Sequence, residues 1–198
     1  MPNIVAFDDK SEIWKAWGRT FKASDPFIIP FQPQIEACLY FPFTDGTCLA
    51  PVQYRAVTEA ARALGERGFF LSETESDDFI DRLNHWWCEF PTYEQYVSQC
   101  GLETSLYSME LSWGAIASHE WHALVGGPQD FIRHVDQIFP AWRDDVIQQI
   151  DEWEGPMERR MWCPKLLIDM LEYWKKYPGD EWVETVTAKL DRKLTGGL

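Results

Sequence analysis

Residues 111–127 read LSWGAIASHEWHALVGG and lie where the spacing of apolar residues changes along the chain. Within this stretch apolar residues alternate with polar or small ones, which is typical of a half-buried β-strand. Beyond it, from Phe131 onward, the apolar residues recur at helical spacing. The change near Gly127 therefore predicts strand structure that leads directly into a helical C-terminal third.

The centre of this stretch predicts a turn at His119 and Glu120. A two-residue tip there would make a hairpin in which Ser118 pairs with Trp121. Because His-Glu is not the Asn-Gly or Asp-Gly pair that such tips favour, one long bent strand remains an alternative.

Residues 37–72 predict a strand, a helix and a second strand. ACLYFPFTDG, from residue 37, is a short apolar run that ends at an Asp-Gly turn. Pro51 then takes a first helical position, and FFLS, from residue 69, has the composition of a strand. Residues 73–90 predict a further helix with an acidic beginning, and this helix continues through RLNHWWCEF.

Four apolar faces at helical spacing predict that residues 128–198 are predominantly helical. These faces comprise Phe131, Ile132, Val135, Ile138 and Phe139; Trp142, Val146, Ile150 and Trp153; Leu166, Leu167, Met170, Leu171 and Trp174; and Trp182, Val183, Val186 and Leu190. Strands followed by helices indicate one α+β domain over residues 1–198, with a small, mostly antiparallel sheet and packed helices.

The net charge of −14 over 198 residues argues against a nucleic-acid partner, which would require clustered Lys and Arg. It favours a protein partner with a basic surface, because opposite potentials accelerate encounter; the simpler interpretation is that the charge maintains solubility. The N-terminal region has no basic segment followed by an apolar one, and no apolar run is long enough for a membrane span. We therefore expect a cytoplasmic protein with no membrane contact.

The five cysteines include no CxxC pair, which favours reduced thiols over a disulfide framework or a zinc ribbon. His119-Glu120-Trp121-His122 has the spacing HExH, one residue shorter than the helical HExxH zinc motif. We therefore predict no metal, no cofactor and no catalytic residue. The alternative is a hydrolase-type or metal-dependent enzyme with a site around His119, Glu120 and His122.

Two further features have competing interpretations. Gly126-Gly127, before Pro128, suits either a tight strand-to-helix turn or an anion site at a helix N-terminus. The acid pairs Asp77/Asp78 and Asp144/Asp145 suit either solvated helix faces or a binding surface. Our predicted partner-binding surface consists of acids and one histidine: Asp77, Asp78, Glu120, His122, Asp144 and Asp145. Acidic DNA mimicry is a weaker hypothesis, because basic and apolar residues interrupt the acids.

Residues 113–131, WGAIASHEWHALVGGPQDF, resemble a pattern in small bacterial immunity-type proteins. In that pattern a strand W-G-x-I-x-S is followed by an acidic or His-containing turn, a second strand, a Gly-Gly junction and a helix that opens near a Phe. The resemblance covers about a tenth of the chain. It implies a protein that neutralises a toxin encoded nearby by binding it, without catalysis.

Overall fold

The computed structural model describes residues 3–42, 44–75, 79–82, 84–152, 162–174 and 180–195. The strands in these ranges are β1 (Ile4–Ala6), β2 (Ala37–Pro42), β3 (Phe69–Glu73), β4 (His85–Cys88), β5 (Glu103–Tyr107), β6 (Gly114–Ser118) and β7 (His122–Gly127). The helices are α1 (Lys10–Thr20), α2 (Pro51–Ala63), α3 (Phe79–Arg82), α4 (Tyr93–Val97), α5 (Gln129–Ile138), α6 (Trp142–Asp151), α7 (Trp162–Trp174) and α8 (Glu181–Thr195). The strands form one antiparallel sheet in the order β1-β4-β3-β5-β6-β7-β2.

Helices cover both faces of this sheet, as two neighbouring residues of β3 demonstrate. Successive side chains of a strand point to opposite faces. Phe70 packs against Tyr107, which also contacts Trp17 of α1, whereas Phe69 packs against Tyr54 of α2. Every residue of β6 and β7 is consequently buried, so the prediction of half-buried strands in this stretch is wrong.

The predicted hairpin is present, with a register one residue away from the predicted one. Ser118 pairs with His122 and Ala117 with Ala123, so the connecting loop has three residues, His119, Glu120 and Trp121. Three-residue hairpin loops commonly end in a residue with left-handed backbone geometry, and Trp121 takes that position at φ 61°. The shift makes His122 the first residue of the second strand and leaves Trp121, which the predicted register would have paired, in the loop.

Gly126 and Gly127 do not form a turn. Both lie in β7, where Gly126 pairs with Cys38 and Gly127 with Ala37 of β2. A Cβ atom on Gly126 would lie 2.8 Å from the Phe31 ring, and one on Gly127 would lie 2.8 Å from the Phe131 ring. The glycine pair therefore gives aromatic side chains direct access to the sheet on both faces.

The predicted helix that continues through residues 82–90 is wrong. Helix α3 ends at Arg82, and His85–Cys88 form strand β4 between β1 and β3. The Trp pair in this segment suits a pleated strand, and pairing with strands on both sides overrides the acidic helix start. His85 is buried, with its Nδ1 atom 2.7 Å from Ser72 Oγ.

The helical C-terminal third is confirmed over its described residues, and the α+β class with it. The apolar faces predicted for α5 to α8 are buried wherever they are described, apart from the half-buried Ile138 and Trp182. Trp153 lies outside the described residues. Strand β2 packs against α6 and α7, so these C-terminal helices bury an edge of the sheet.

All five cysteines are free, and all except the half-buried Cys100 are buried. Burial raises the pKa of the Cys88 thiol to about 12. None of the described helices combines the length and the apolar character needed to cross a bilayer.

Candidate functional site

One end of the sheet carries a cluster of acidic residues around the β6–β7 loop. This cluster is named the acidic tip and consists of Asp25, Glu75, Glu103, His119, Glu120 and Trp121. Glu103 begins β5 and pairs with Ser118 at the end of β6, so the strand register brings it beside the loop. Glu75 follows Thr74, whose backbone N–H donates to the Glu103 carbonyl at 2.9 Å.

The loop holds Trp121 in a defined and exposed position. The Trp121 backbone N–H donates to the Ser118 carbonyl at 3.1 Å, and its carbonyl accepts from the Thr44 N–H at 3.4 Å. The Ser118 hydroxyl oxygen accepts from the Glu120 N–H at 3.2 Å. Trp121 is 63% exposed, the largest exposure of any large apolar residue in the described ranges. A bulky residue with positive φ is strained, so the surrounding bonds hold this indole in solvent at an energetic cost.

Glu103 and His119 lie together at the centre of the acidic tip. The His119 Nδ1 atom lies 3.6 Å from Glu103 Oε1, and its Nε2 atom lies 3.8 Å from Glu120 Oε1. Burial raises the pKa of the Glu103 carboxyl to about 7; His119 opposes this increase, and the negative charges of Asp25 and Glu75 add to it. A carboxyl that titrates near neutrality can serve as a proton donor or acceptor at this position.

His122, the residue that directly follows the loop, is completely buried. Its Nε2–H donates to the Pro26 carbonyl at 2.8 Å, and its ring stacks on Tyr40 at a centroid distance of 5.8 Å. Burial lowers its pKa, which favours the neutral imidazole. His122 therefore fixes the segment that contains Asp25 against the hairpin and does not itself reach the surface.

Of the four remaining predicted surface residues, Asp144 and Asp145 belong to the described ranges. Asp77 and Asp78 lie outside the described residues. Asp144 and Asp145 occupy the first turn of α6, where burial and the charge of Asp144 raise the pKa of Asp145. Among the described residues, no hydrogen bond or ion pair joins either of them to Glu120.

The histidines do not converge on a metal-binding arrangement. His119 is partly exposed, whereas His122 is buried and turned toward Pro26 and Tyr40. Within the described ranges, no group of three or more His, Cys, Asp or Glu residues has the geometry to hold a metal ion.

The sequence analysis missed Glu103, Asp25 and Glu75. Glu103 is the first residue of ETSLY, whose composition favours a strand. This composition was the indication that a further strand could pair with the hairpin. Nothing in the local pattern indicates which strand pairs with β6. Asp25 lies in a proline-rich connecting segment, and the position of this segment depends on its contact with the buried His122.

Comparison of this chain with protein-family models, with curated proteins and with solved structures found no match.

Proposed function

We propose that this chain is a cytoplasmic binding protein that engages a basic protein surface through its acidic tip. The observation that carries the proposal is Trp121, which is held in solvent on a strained backbone, on the same loop as Glu120 and as His119, the neighbour of Glu103. Strained backbone positions cluster at functional sites, and tryptophan is enriched among interface anchors.

Trp121 has the properties of an interface anchor. Its backbone is already fixed by hydrogen bonds to Ser118 and Thr44, so little conformational entropy is lost on binding. Leu102, the residue that precedes Glu103, is also 57% exposed and adds apolar surface where β5 begins. Tryptophan is among the residues that most often dominate binding energy in protein interfaces.

The charges near this anchor favour a cationic partner. Asp25 and Glu75 each interact electrostatically with Glu103, and Glu120 lies on the same loop as Trp121. The whole chain carries −14. Acids around an apolar anchor would select a Lys- or Arg-rich surface and accelerate its approach.

The most specific form of this proposal is that the chain is an immunity protein, which neutralises a toxin. The resemblance of residues 113–131 to immunity-type proteins falls on β6, β7 and the start of α5, and this segment includes the loop that carries Trp121. The partner would be a basic toxin domain encoded nearby, neutralised by direct binding.

The test is co-expression with the products of the neighbouring reading frames, followed by pull-down and affinity measurement. Trp121→Ala is expected to raise Kd by about 30-fold or more, the effect of losing an interface anchor. Trp14→Ala is the matched control, because Trp14 is 51% exposed on α1 and should leave Kd within about threefold. Equal changes in Kd for the two variants would show that the acidic tip is not part of the interface.

The Glu103–His119 pair supports a second candidate, an acid–base enzyme. A carboxyl with a pKa of about 7 beside an imidazole matches the requirement for general acid–base catalysis near neutral pH. In this candidate the active site would consist of Glu103 and His119. It differs from the predicted enzyme site around His119, Glu120 and His122, because His122 is buried. Turnover of a hydrolase substrate panel that Glu103→Gln abolishes, while toxin binding persists, would favour the enzyme.

A further inference from the structure

Two thiols from distant parts of the chain meet beside helix α4. Cys48 lies in the loop between β2 and α2, and Cys100 lies just beyond the end of α4. A hydrogen bond joins the Cys48 and Cys100 side chains. Two sulfur atoms must approach each other closely before they can form a disulfide, and these two already do so.

Tyr96 of α4 holds both cysteines in place. Its hydroxyl oxygen accepts from the backbone N–H of Leu49, the residue after Cys48, at 3.0 Å. The same hydroxyl forms a hydrogen bond with the Cys100 thiol, whose sulfur also lies 3.5 Å from the Tyr96 carbonyl oxygen. Because Tyr96 is completely buried, these contacts fix the two thiols relative to each other.

A second tyrosine binds the loop that carries Cys48 to α4. The Tyr93 hydroxyl lies 3.0 Å from Asp45 Oδ2 and 3.0 Å from the Leu49 carbonyl oxygen. Within the loop, the Asp45 N–H donates to the Cys48 carbonyl at 2.9 Å, and the Cys48 N–H donates to the Asp45 carbonyl at 3.2 Å. A disulfide between Cys48 and Cys100 would therefore join two segments that are already packed together.

The two thiols differ in how readily they ionise. The hydrogen bond from Cys100 lowers the pKa of the Cys48 thiol with help from Thr47, whereas burial and the charge of Asp45 oppose this decrease. The same hydrogen bond, together with burial, raises the pKa of the Cys100 thiol. Cys48 is thus the nucleophile of the pair, and Cys100 is a protonated thiol held beside it.

The burial of the pair limits which oxidant can reach it. Cys48 is 4% exposed and Cys100 is half-buried. Hydrogen peroxide is close to water in size, whereas a disulfide such as oxidised glutathione is far larger, so peroxide is the oxidant that the site admits. Cys88 contrasts with this pair, because it is fully buried and burial raises its thiol pKa to about 12.

We propose that Cys48 and Cys100 are a modification site at which hydrogen peroxide forms a reversible disulfide within the chain. The Cys48 thiolate attacks one peroxide oxygen, the O–O bond breaks, and the departing hydroxide takes up a proton to become water. Cys100 then loses its proton and attacks the sulfenic sulfur of Cys48, so that the S–S bond forms and the sulfenic oxygen leaves as a second water. The two thiols are oxidised and the peroxide is reduced. This chemistry does not depend on the proposed protein partner.

The test treats the purified chain with a small excess of hydrogen peroxide, blocks the remaining thiols and digests the protein without reductant. Mass spectrometry should find a peptide pair joined through Cys48 and Cys100, the loss of two of the five thiols, and full recovery of both with dithiothreitol. The proposal is overturned if both cysteines stay reduced, or if Cys48 advances to sulfinic acid without a cross-link. A disulfide to another cysteine, or between two copies of the chain, also overturns it.

Cys100→Ser removes the sulfur that attacks the sulfenic acid. In this variant Cys48 should stop at the sulfenic acid, which dimedone labels, and no cross-linked peptide should form. Cys88→Ala is the control, because Cys88 lies in β4 and should leave the rate of cross-linking unchanged. A cross-link that persists in Cys100→Ser, or that is lost in a folded Cys88→Ala variant, contradicts the proposal.

Thermal unfolding of the oxidised parent chain gives a measurement that does not require Cys100→Ser to fold. A disulfide between thiols that already meet in the native fold should raise Tm by about 5 °C or more, and dithiothreitol should reverse the increase. A lower Tm after oxidation would show that the bond distorts the fold, which contradicts the proposal.

Discussion

At the scale of single residues, Glu103 links the stability of the fold to pH. Its folded-state pKa of about 7 lies above the ordinary value of 4.5 because the carboxyl is buried at the start of β5. Below pH 4.5 both the folded and the unfolded chain hold the proton. As the pH rises toward 7, the unfolded chain releases it first, so stability falls.

We expect the Glu103→Gln variant to lack this pH dependence. Gln imitates the protonated carboxyl, so the variant should gain up to about 3 kcal/mol over the parent protein between pH 4.5 and pH 8. Urea unfolding at several pH values measures the difference. A difference that stays constant across this range would show that Glu103 titrates normally.

At the scale of elements, the β6–β7 hairpin shows what the sequence pattern could and could not predict. Alternation of residues 113–118 and 122–127 correctly predicted two strands and a turn between them. The pattern could not distinguish a two-residue loop from a three-residue loop, because the flanking residues have the composition of strands in either case. The loop length determines whether Trp121 pairs in the sheet or is exposed in the loop. The sequence therefore could not predict that Trp121 is the anchor of the proposed site.

We expect Trp121→Gly to stabilise the protein while it weakens partner binding. Glycine adopts φ 61° without strain, whereas the tryptophan pays about 1 kcal/mol or more for it. The exposed indole contributes little packing in compensation. Thermal unfolding should show a higher Tm for Trp121→Gly than for Trp121→Ala, which keeps the strain; the opposite order would contradict this account.

The glycine pair of β7 gives a second prediction for this hairpin. Gly126→Ala should destabilise the fold by about 1–3 kcal/mol, because the added methyl group overlaps the Phe31 ring. Gly18→Ala in α1 is the control. An added Cβ has no neighbour within 4 Å there, and alanine is the better helix former by about 1 kcal/mol. Denaturant unfolding of both variants should give changes of opposite sign.

At the scale of the whole molecule, the net charge and the anchor should affect different rate constants. Raising the salt concentration from about 50 to 500 mM should slow association with the basic partner several-fold, since ions screen the long-range attraction. Trp121→Ala should mainly accelerate dissociation. Surface plasmon resonance separates the two rates, and an association rate independent of salt would exclude a steering role for the −14 charge.

The helical faces of the C-terminal third were predictable because each contains several apolar residues at a fixed spacing. The contacts between distant segments were not. Strand β4 was mistaken for helix because its pairing with β1 and β3 cannot be inferred from His85–Cys88 alone. Strand register alone brings Glu103 to the β6–β7 loop, and the buried His122 holds the segment of Asp25 against the hairpin. These long-range pairings, which form the acidic tip, leave no local pattern in the sequence.

The position of β2 at the end of the sheet has a consequence for synthesis on the ribosome. Its strand neighbour is β7, and Pro42 pairs with His122, so the partner is translated about 80 residues later. At ordinary elongation rates this interval lasts about 4–16 s. During that time the nascent chain displays ACLYFP with its backbone groups unpaired, a segment prone to self-association. A holding chaperone that binds short apolar segments is therefore expected to engage this protein before its translation is complete.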